Sequence, residues 1–442
     1  MNTTAPLHEQ FLSLDHNALA HLLATQENLL IIQDLDGVCM GLVKDPLTRQ
    51  LDKRYIEATQ TFAAHFFVLT NGEHIGERGV NRILEAALDQ DGQQIQQEGL
   101  YLPGLAGGGV QWQDRFGCVS HPGVSEAELA FLAAVPTQIG HRLRAFFEQQ
   151  PWTGSAAALE KAITAAVLDN QVSPTANLNV FYEQLQDQPA VYRDLQQAMQ
   201  TLMEDLLAEA QSLGLGESFF VHYAPNLGKD VHGQERLQLA SETASGTTDF
   251  QFMLRGAVKE VGVLALLNRY YFERTGTYPL GENFNVRQAP RSHPELLALA
   301  QAHFDPAHMP TIIGVGDTVT SQVEEENGTL EVRRGGSDRG FLHLVQDLGR
   351  TFETGNVVVY IDSSAGEVKN RRPLKLQPLE GTNPPGFEVV AGPGDPRDRS
   401  DPLLLNVGFP GGHQQYIELF CQAAHHRAHH SIFTAGSSLP KP

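Results

Sequence analysis

The stretch that most constrains this chain is Leu29 to Met40, LLIIQDLDGVCM. Four apolar residues, Leu29 to Ile32, lead through Gln33 into Asp34, Leu35, Asp36 and Gly37. A short apolar run ending in acids and a glycine predicts a buried parallel strand whose carboxyl end opens at a site. Alternation places Asp34 and Asp36 on one side and Leu35 on the other. At ~4 Å and an effective dielectric of about 20, two carboxylates repel by about 4 kcal/mol. Such a pair needs a cation, a shared proton, or both. A hard cation such as Mg²⁺ prefers carboxylate oxygens and keeps positions open for water and phosphate. The other reading of the same residues is a polar Asp-Gly turn after a strand.

The pattern recurs along the chain. Residues 8–27 carry leucines at helical spacing and predict an amphipathic helix, and 53–64 predict another. Residues 65–72, HFFVLTNG, read as a second buried strand ending in Thr70, Asn71 and Gly72. Strand, helix, strand makes a parallel pair through a crossover. Ligands of open parallel sheets sit at the carboxyl ends of strands, so Thr70 and Asn71 are expected on the rim that carries Asp34. Residues 309–318 (MPTIIGVGDT) and 356–362 (NVVVYID) read as further strands with Asp317 and Asp362 at their ends.

Between residues 73 and 250 the text changes. Helices are expected over 81–88, 126–149, 155–167 and 191–213, and a strand over 217–223. The glycine-rich run 104–109, GLAGGG, lacks the Gly-Lys-Ser/Thr of a phosphate loop and reads as a turn that could line a pocket. A strongly apolar helix is expected over 256–274, with Lys259 in its first turn. Residues 371–402 are rich in Pro and Gly and predict loop, and 414–426 predict a last helix. His74, His121 and His222 read as loop or packing residues.

The 442 residues suffice for two or three domains, and the net charge of −21 disfavours nucleic acid and anionic membranes as partners. An anionic substrate would have to be held by local cations or a metal. Three widely spaced cysteines, Cys39, Cys118 and Cys421, argue against a disulfide framework and a zinc cluster. No secretory signal is evident, and no apolar run approaches the ~20 residues that span a bilayer. A reducing compartment is expected, most simply the cytoplasm.

The order of these features resembles the haloacid dehalogenase-like phosphatases. Asp34-Leu35-Asp36-Gly37-Val38 resembles their first motif, Val68-Leu69-Thr70 the second, Lys259 the third and Gly316-Asp317 the fourth. The resemblance implies an α/β fold with a Rossmann-like parallel-sheet core, 1–75 and 255–442, and a large inserted α/β cap, 76–254. It implies that Asp34 attacks phosphorus and forms an aspartyl-phosphate, and that Asp36 protonates the leaving alcohol and then activates water. Mg²⁺ would be held by Asp34, the backbone carbonyl of Asp36, and Asp317. Thr70 and Lys259 would neutralise the transferring phosphoryl group, with Lys229 a rival for the lysine. The family expects a second acid four or five residues after Asp317, where Ser321 and Gln322 stand; Asp338 or a water is left to take its place. Such caps select the leaving group, as in the sucrose- and trehalose-phosphate phosphatases. The stretches LLIIQDLDGVCMGLVKDPLTR and FFVLTNGEHIGERGVNRILEAAL look most like the cyanobacterial glucosylglycerol-phosphate phosphatases. That likeness implies a sugar-phosphate substrate, a role in salt acclimation and, by pathway logic, a glucosylglycerol-phosphate synthase upstream. Asn71, Glu73, His74 and Arg78 are the candidate substrate-binding residues beside Thr70. A non-catalytic phosphoacceptor protein on the same scaffold is the alternative of another class.

Overall fold

The Leu29–Gln33 strand lies inside an eight-stranded sheet. Across that sheet the order is Val407–Phe409, Val357–Ile361, Thr311–Gly316, Leu29–Gln33, Phe66–Leu69, Gly104–Ala106, Gln111–Gln113 and Val119–Ser120. The first six run parallel, and the last two add antiparallel. This is a computed structural model describing residues 5–436 except 151, 153, 225, 230–234, 242–244, 327–328, 369–370 and 380–385.

The parallel strands are apolar throughout because both faces are covered. Leu30, Ile32, Phe67, Leu69, Ile312 and Val358 enter one core, while Leu29, Ile31, Phe66, Val68, Ile313 and Val357 enter the other. The first face is covered by the helices Lys259–Thr275 and Arg339–Phe352, which bring Leu264 and Phe341 into that core. The second is covered by His16–Thr25, Lys53–Thr61 and Gly412–Gly436, which bring Leu19, Tyr55 and Phe420. A Cβ at Gly262 would stand 2.5 Å from Leu69 Cδ1. Glycine there lets the helix headed by Lys259 lie directly on the sheet.

Between Val119–Ser120 and the Lys259 helix the chain builds a second sheet. Its antiparallel order is Val167–Leu168, Thr175–Asn177, Asp249–Leu254, Phe219–Ala224. The helices Glu126–Gln149 and Pro189–Ser212 pack on it through Phe131, Leu132, Leu195 and Met199. Ser125 and Glu128 form a reciprocal capping box at the start of the first of these helices.

Three expectations need correction, and one element was not foreseen. Residues 104–120 fall in the stretch expected to be inserted, yet they pair into the main sheet, because the backbone of Gly104–Ala106 runs parallel to Val68 and Leu69. The helix expected over 8–27 begins only at His16, capped by Asp15. Upstream, Leu12 and Ser13 donate their N–H groups to Leu405 and Asn406 carbonyls, so that backbone is spent on long-range pairing. Within 371–402, expected as loop, Lys375–Pro378 and Phe387–Ala391 form a hairpin. A second hairpin, Thr320–Glu326 with Thr329–Gly335, was not legible at all.

Candidate active site

The parallel strands deliver their terminal residues to one rim. Asp34 follows Gln33, and its N–H donates to Val315 O at 3.0 Å, so the ends of two neighbouring strands are in register. Asp317 follows Gly316, and Thr70 follows Leu69. Lys259 heads its helix and reaches back over the sheet. Its Nζ lies 2.9 Å from Asp34 Oδ1 and 2.8 Å from Asp338 Oδ1.

Asp338 is the acid that stands beside Asp317. Its Oδ2 accepts the backbone N–H groups of Asp317 and Thr318, each at 3.0 Å. The hairpin of residues 320–335 leaves the sheet and returns with Thr320 opposite Gly335, so Asp338 comes back beside Asp317. One carboxylate oxygen from each of Asp34, Asp317 and Asp338 lies within 4.8 Å of the others, and all three residues are buried. Gly37 has φ +78°, and a Cβ there would fall 2.2 Å from Asp317 Oδ2. Glycine is required at that position both for the turn and for the approach of Asp317.

The charges do not balance. Burial pushes Asp34 up to about 8, in spite of Lys259; the nearby Asp338, Asp317 and Asp36 add to the rise. Burial, then the charge of Asp338, pushes Asp317 up to about 7, against the pull of Arg371. Burial works against the Lys259 ammonium, but Asp338 and Asp34 outweigh it and hold its pKa above the ordinary value. Asp317 Oδ2 is buried without a hydrogen-bond donor, and Arg371 Nε stands 3.8 Å away. Three clustered buried carboxylates, two of them paired to one ammonium and the third with an oxygen lacking a donor, are the donor set that suits a hard dication such as Mg²⁺.

Asp36 stands at the open side. Its Oδ1 pairs with Arg49 Nε at 2.9 Å, a partner that nothing in the local sequence pattern indicated. Thr70 is buried, and its Oγ1 accepts the N–H of Gly72 at 3.1 Å, which leaves its own proton free to donate. A Cβ at Gly72 would stand 3.5 Å from Thr70 Oγ1 and 3.9 Å from Asp36 Oδ2, so those two groups flank the same opening. Thr318 Oγ1 donates to Asp317 at 2.6 Å and accepts from Arg371 at 2.9 Å. Arg371, from the segment read as loop, was the other residue missed.

The proposed substrate-binding residues divide. Asn71 stays half-buried beside Thr70. Glu73 is buried, and its carboxylate accepts the N–H groups of Gln171, Val172 and Ser173 at 2.7 to 2.9 Å, tying the rim to the second sheet. His74 is buried behind it, with Nε2 3.2 Å from Gly104 O. Arg78 bonds Asp169 and the carbonyl of Thr164. Lys229 closes a short strand paired with Glu235–Leu237, and its side chain lies outside the described residues. Of the other two histidines, His121 lies 3.3 Å from Gln111 and His222 pairs with Glu235 at 2.9 Å.

The second sheet overhangs this rim. Asp249, on its Asp249–Leu254 strand, is bonded by Asn177 at 2.7 Å and Thr248 at 2.8 Å. Burial raises the pKa of Asp249, while His222 and Arg49 pull it down; Arg49 is thus in electrostatic reach of Asp36 and of the inserted sheet. Lys44 and Glu183 form a second ion pair across the same boundary.

Residues 28–424 match the family described as glucosylglycerol-phosphate phosphatase. The glucosylglycerol-phosphate phosphatase of Synechocystis sp. is 62% identical over 424 residues, covering 96% of this chain and 99% of the relative. Among solved structures, the C-terminal domain of C. albicans trehalose-6-phosphate phosphatase aligns over 94% of this chain and 99% of that one, at 9% identity and a TM-score of 0.42. The trehalose-6-phosphate phosphatase of Aspergillus fumigatus aligns over the same shares, at 9% identity and a TM-score of 0.38. The chain belongs to the glucosylglycerol-phosphate phosphatase family of enzymes.

Proposed function

We propose that this chain hydrolyses 2-O-(α-D-glucosyl)-sn-glycerol 3-phosphate to glucosylglycerol and inorganic phosphate. The observation that carries this reading is the convergence of Asp34, Asp317, Asp338 and Lys259 beside Asp36 and Thr70. Phosphate monoesters are among the slowest bonds to hydrolyse in water, and a covalent route divides that barrier.

Asp34 attacks phosphorus while the bond from phosphorus to the glycerol oxygen breaks. Asp36 gives its proton to that oxygen, so glucosylglycerol leaves as an alcohol. Asp36, now a carboxylate, takes a proton from the water that attacks the aspartyl-phosphate. Phosphate departs and Asp34 is restored. Lys259 opposes the rise that burial imposes on the Asp34 pKa and faces the phosphoryl oxygens, and Thr70 donates its free proton to one of them. Asp34, Asp317 and Asp338 would hold a Mg²⁺ ion, which would supply charge neutralisation at the phosphoryl oxygens. The backbone carbonyl of Asp36 completes the expected ligand set.

The inserted sheet, with Asn177, Thr248 and Asp249 on the side of Arg49, offers hydrogen-bonding groups suited to sugar hydroxyls. Closure of such a unit over the rim excludes water other than the attacking one. In this reading the enzyme acts in the cytoplasm, in compatible-solute synthesis and salt tolerance, downstream of a glucosylglycerol-phosphate synthase. No helix among the described residues is long and apolar enough to cross a membrane.

A substrate panel tests the proposal. Phosphate release from glucosylglycerol phosphate should exceed that from sucrose 6-phosphate and trehalose 6-phosphate, and removal of divalent ions should stop it. Equal turnover of all three would overturn the substrate assignment. Absence of phosphate release from any of them would favour a non-catalytic role.

A further inference from the structure

A second cluster of metal-type ligands stands behind the active site, and the phosphatase reaction does not use it. His293 begins the His293–His303 helix. His343 and Asp347 lie four residues apart on one face of the Arg339–Phe352 helix. His293 Nε2 is 3.0 Å from Asp347 Oδ2, and His343 Nε2 is 3.4 Å from the same oxygen. The two imidazoles stack at 4.4 Å with 23° between their planes, so both Nε2 edges face one carboxylate oxygen. One ligand atom from each of the three residues falls within 4.8 Å of the others.

We infer that His293, His343 and Asp347 form a binding site for a borderline divalent transition metal of the Zn²⁺ class. The spacing fits. With metal–ligand bonds of about 2.0–2.2 Å, the edge of a tetrahedron is about 3.3–3.6 Å. The donor set fits as well. Two imidazoles and one carboxylate suit Zn²⁺, Co²⁺ or Ni²⁺, whereas the all-carboxylate cluster at Asp34 suits Mg²⁺.

The surroundings prepare each donor. His293 Nδ1 lies 2.6 Å from Glu260 Oε1, the carboxylate–histidine pairing that fixes the tautomer and leaves Nε2 for a metal. Asp347 Oδ1 is occupied by Gln346 at 3.3 Å and Arg350 at 3.1 Å, so Oδ2 is the oxygen left for the cluster. Half-buried side chains at the cluster leave room for water in the fourth position.

The position has a consequence for the neighbouring site. Glu260 follows Lys259 in the chain, and the helix bearing His343 and Asp347 starts at its N-cap, Asp338. A bound ion would therefore join the His293 helix to the helix headed by Asp338 and, through the His293–Glu260 hydrogen bond, tie in the helix headed by Lys259.

The test uses the full chain, stripped of metal, with excess Mg²⁺ present to fill the carboxylate cluster. Co²⁺ is added and its visible absorption followed, then Zn²⁺ is added in competition. One equivalent of Co²⁺ should give the intense bands of a tetrahedral nitrogen-containing site, and Zn²⁺ should abolish them. H343Q and H293Q should each lose the bands while keeping the wild-type circular dichroism, and E260Q should weaken Co²⁺ binding roughly 10- to 100-fold. Absence of tetrahedral bands in the wild-type protein would overturn the inference, whatever the variants do. So would bands that survive in H343Q and H293Q but vanish in D317N. The readout involves no hydrolysis, so it stands or falls apart from the proposed reaction.

Discussion

Asp338 Oδ2 accepts the backbone N–H of Asp317 at 3.0 Å, although 21 positions separate them in the chain. That contact sets Asp317 beside Asp338, whose other oxygen meets the lysine that also meets Asp34. The hairpin between them explains why no acid stands at the spacing expected of the family while one stands beside Asp317 in space.

If Asp338 completes the ligand set, Asp338→Ala removes a metal ligand and leaves Lys259 paired to Asp34 alone. The half-saturating Mg²⁺ concentration for phosphate release should rise at least roughly 10- to 100-fold. Ser321→Ala, at the position where the acid is expected by spacing, should leave it near the wild-type value. Magnesium titrations of both variants decide; an unchanged requirement in Asp338→Ala removes Asp338 from the site.

Asp34→Ala should abolish turnover, since it removes the proposed nucleophile. Asp36→Asn should keep substrate affinity and lower kcat by about 10²- to 10⁴-fold, the usual range for a lost general acid or base. Binding measured by calorimetry, beside steady-state rates, separates the two effects. Near-normal rates in Asp36→Asn would exclude it as the proton carrier.

Gly37→Ala forces a side chain into φ +78° and toward Asp317 Oδ2, 2.2 Å from the new carbon. A positive φ in a non-glycine residue costs about 1–3 kcal/mol. Thermal unfolding should shift down by several degrees and Mg²⁺ activation should weaken together. Gly76 has φ +95° and nothing within 4 Å, so Gly76→Ala should show the backbone cost without the metal effect.

His74 carries a pH dependence of stability. Burial lowers its pKa to about 4, against the small upward pull of the Gly104 carbonyl. In the unfolded chain it takes up a proton near pH 6.5. Below that value the unfolded state binds a proton that the folded state refuses, so stability falls as pH drops from 6.5 toward 4. The loss is about 3 kcal/mol for a shift of this size. His74→Gln should remove that part of the decline, seen as a smaller gap between urea midpoints at pH 7.5 and 4.5 than in the wild type. An unchanged gap would show that His74 accepts its proton in the folded state.

The sequence by itself determined the parallel core and the identity of Asp34, Asp36, Thr70, Lys259 and Asp317 as its polar ends. The strand-end residues sit where an apolar run stops and Lys259 where an apolar helix begins, and burial on both faces writes the strand runs into consecutive residues such as Leu29 to Ile32. It also marked the helices 126–149 and 191–213 of the inserted unit, whose apolar period survives in one dimension. What only the tertiary structure decided depends on contacts between distant segments. Asp338 reaches the cluster because a hairpin folds out and back, Arg49 meets Asp36 across a loop, and Arg371 meets Thr318 from a segment with no periodicity. Glu73 turned from a sugar-binding candidate into a tie to residues 171–173, and 104–120 joined the main sheet, because backbone hydrogen-bond partners are chosen in space and leave no period in the chain.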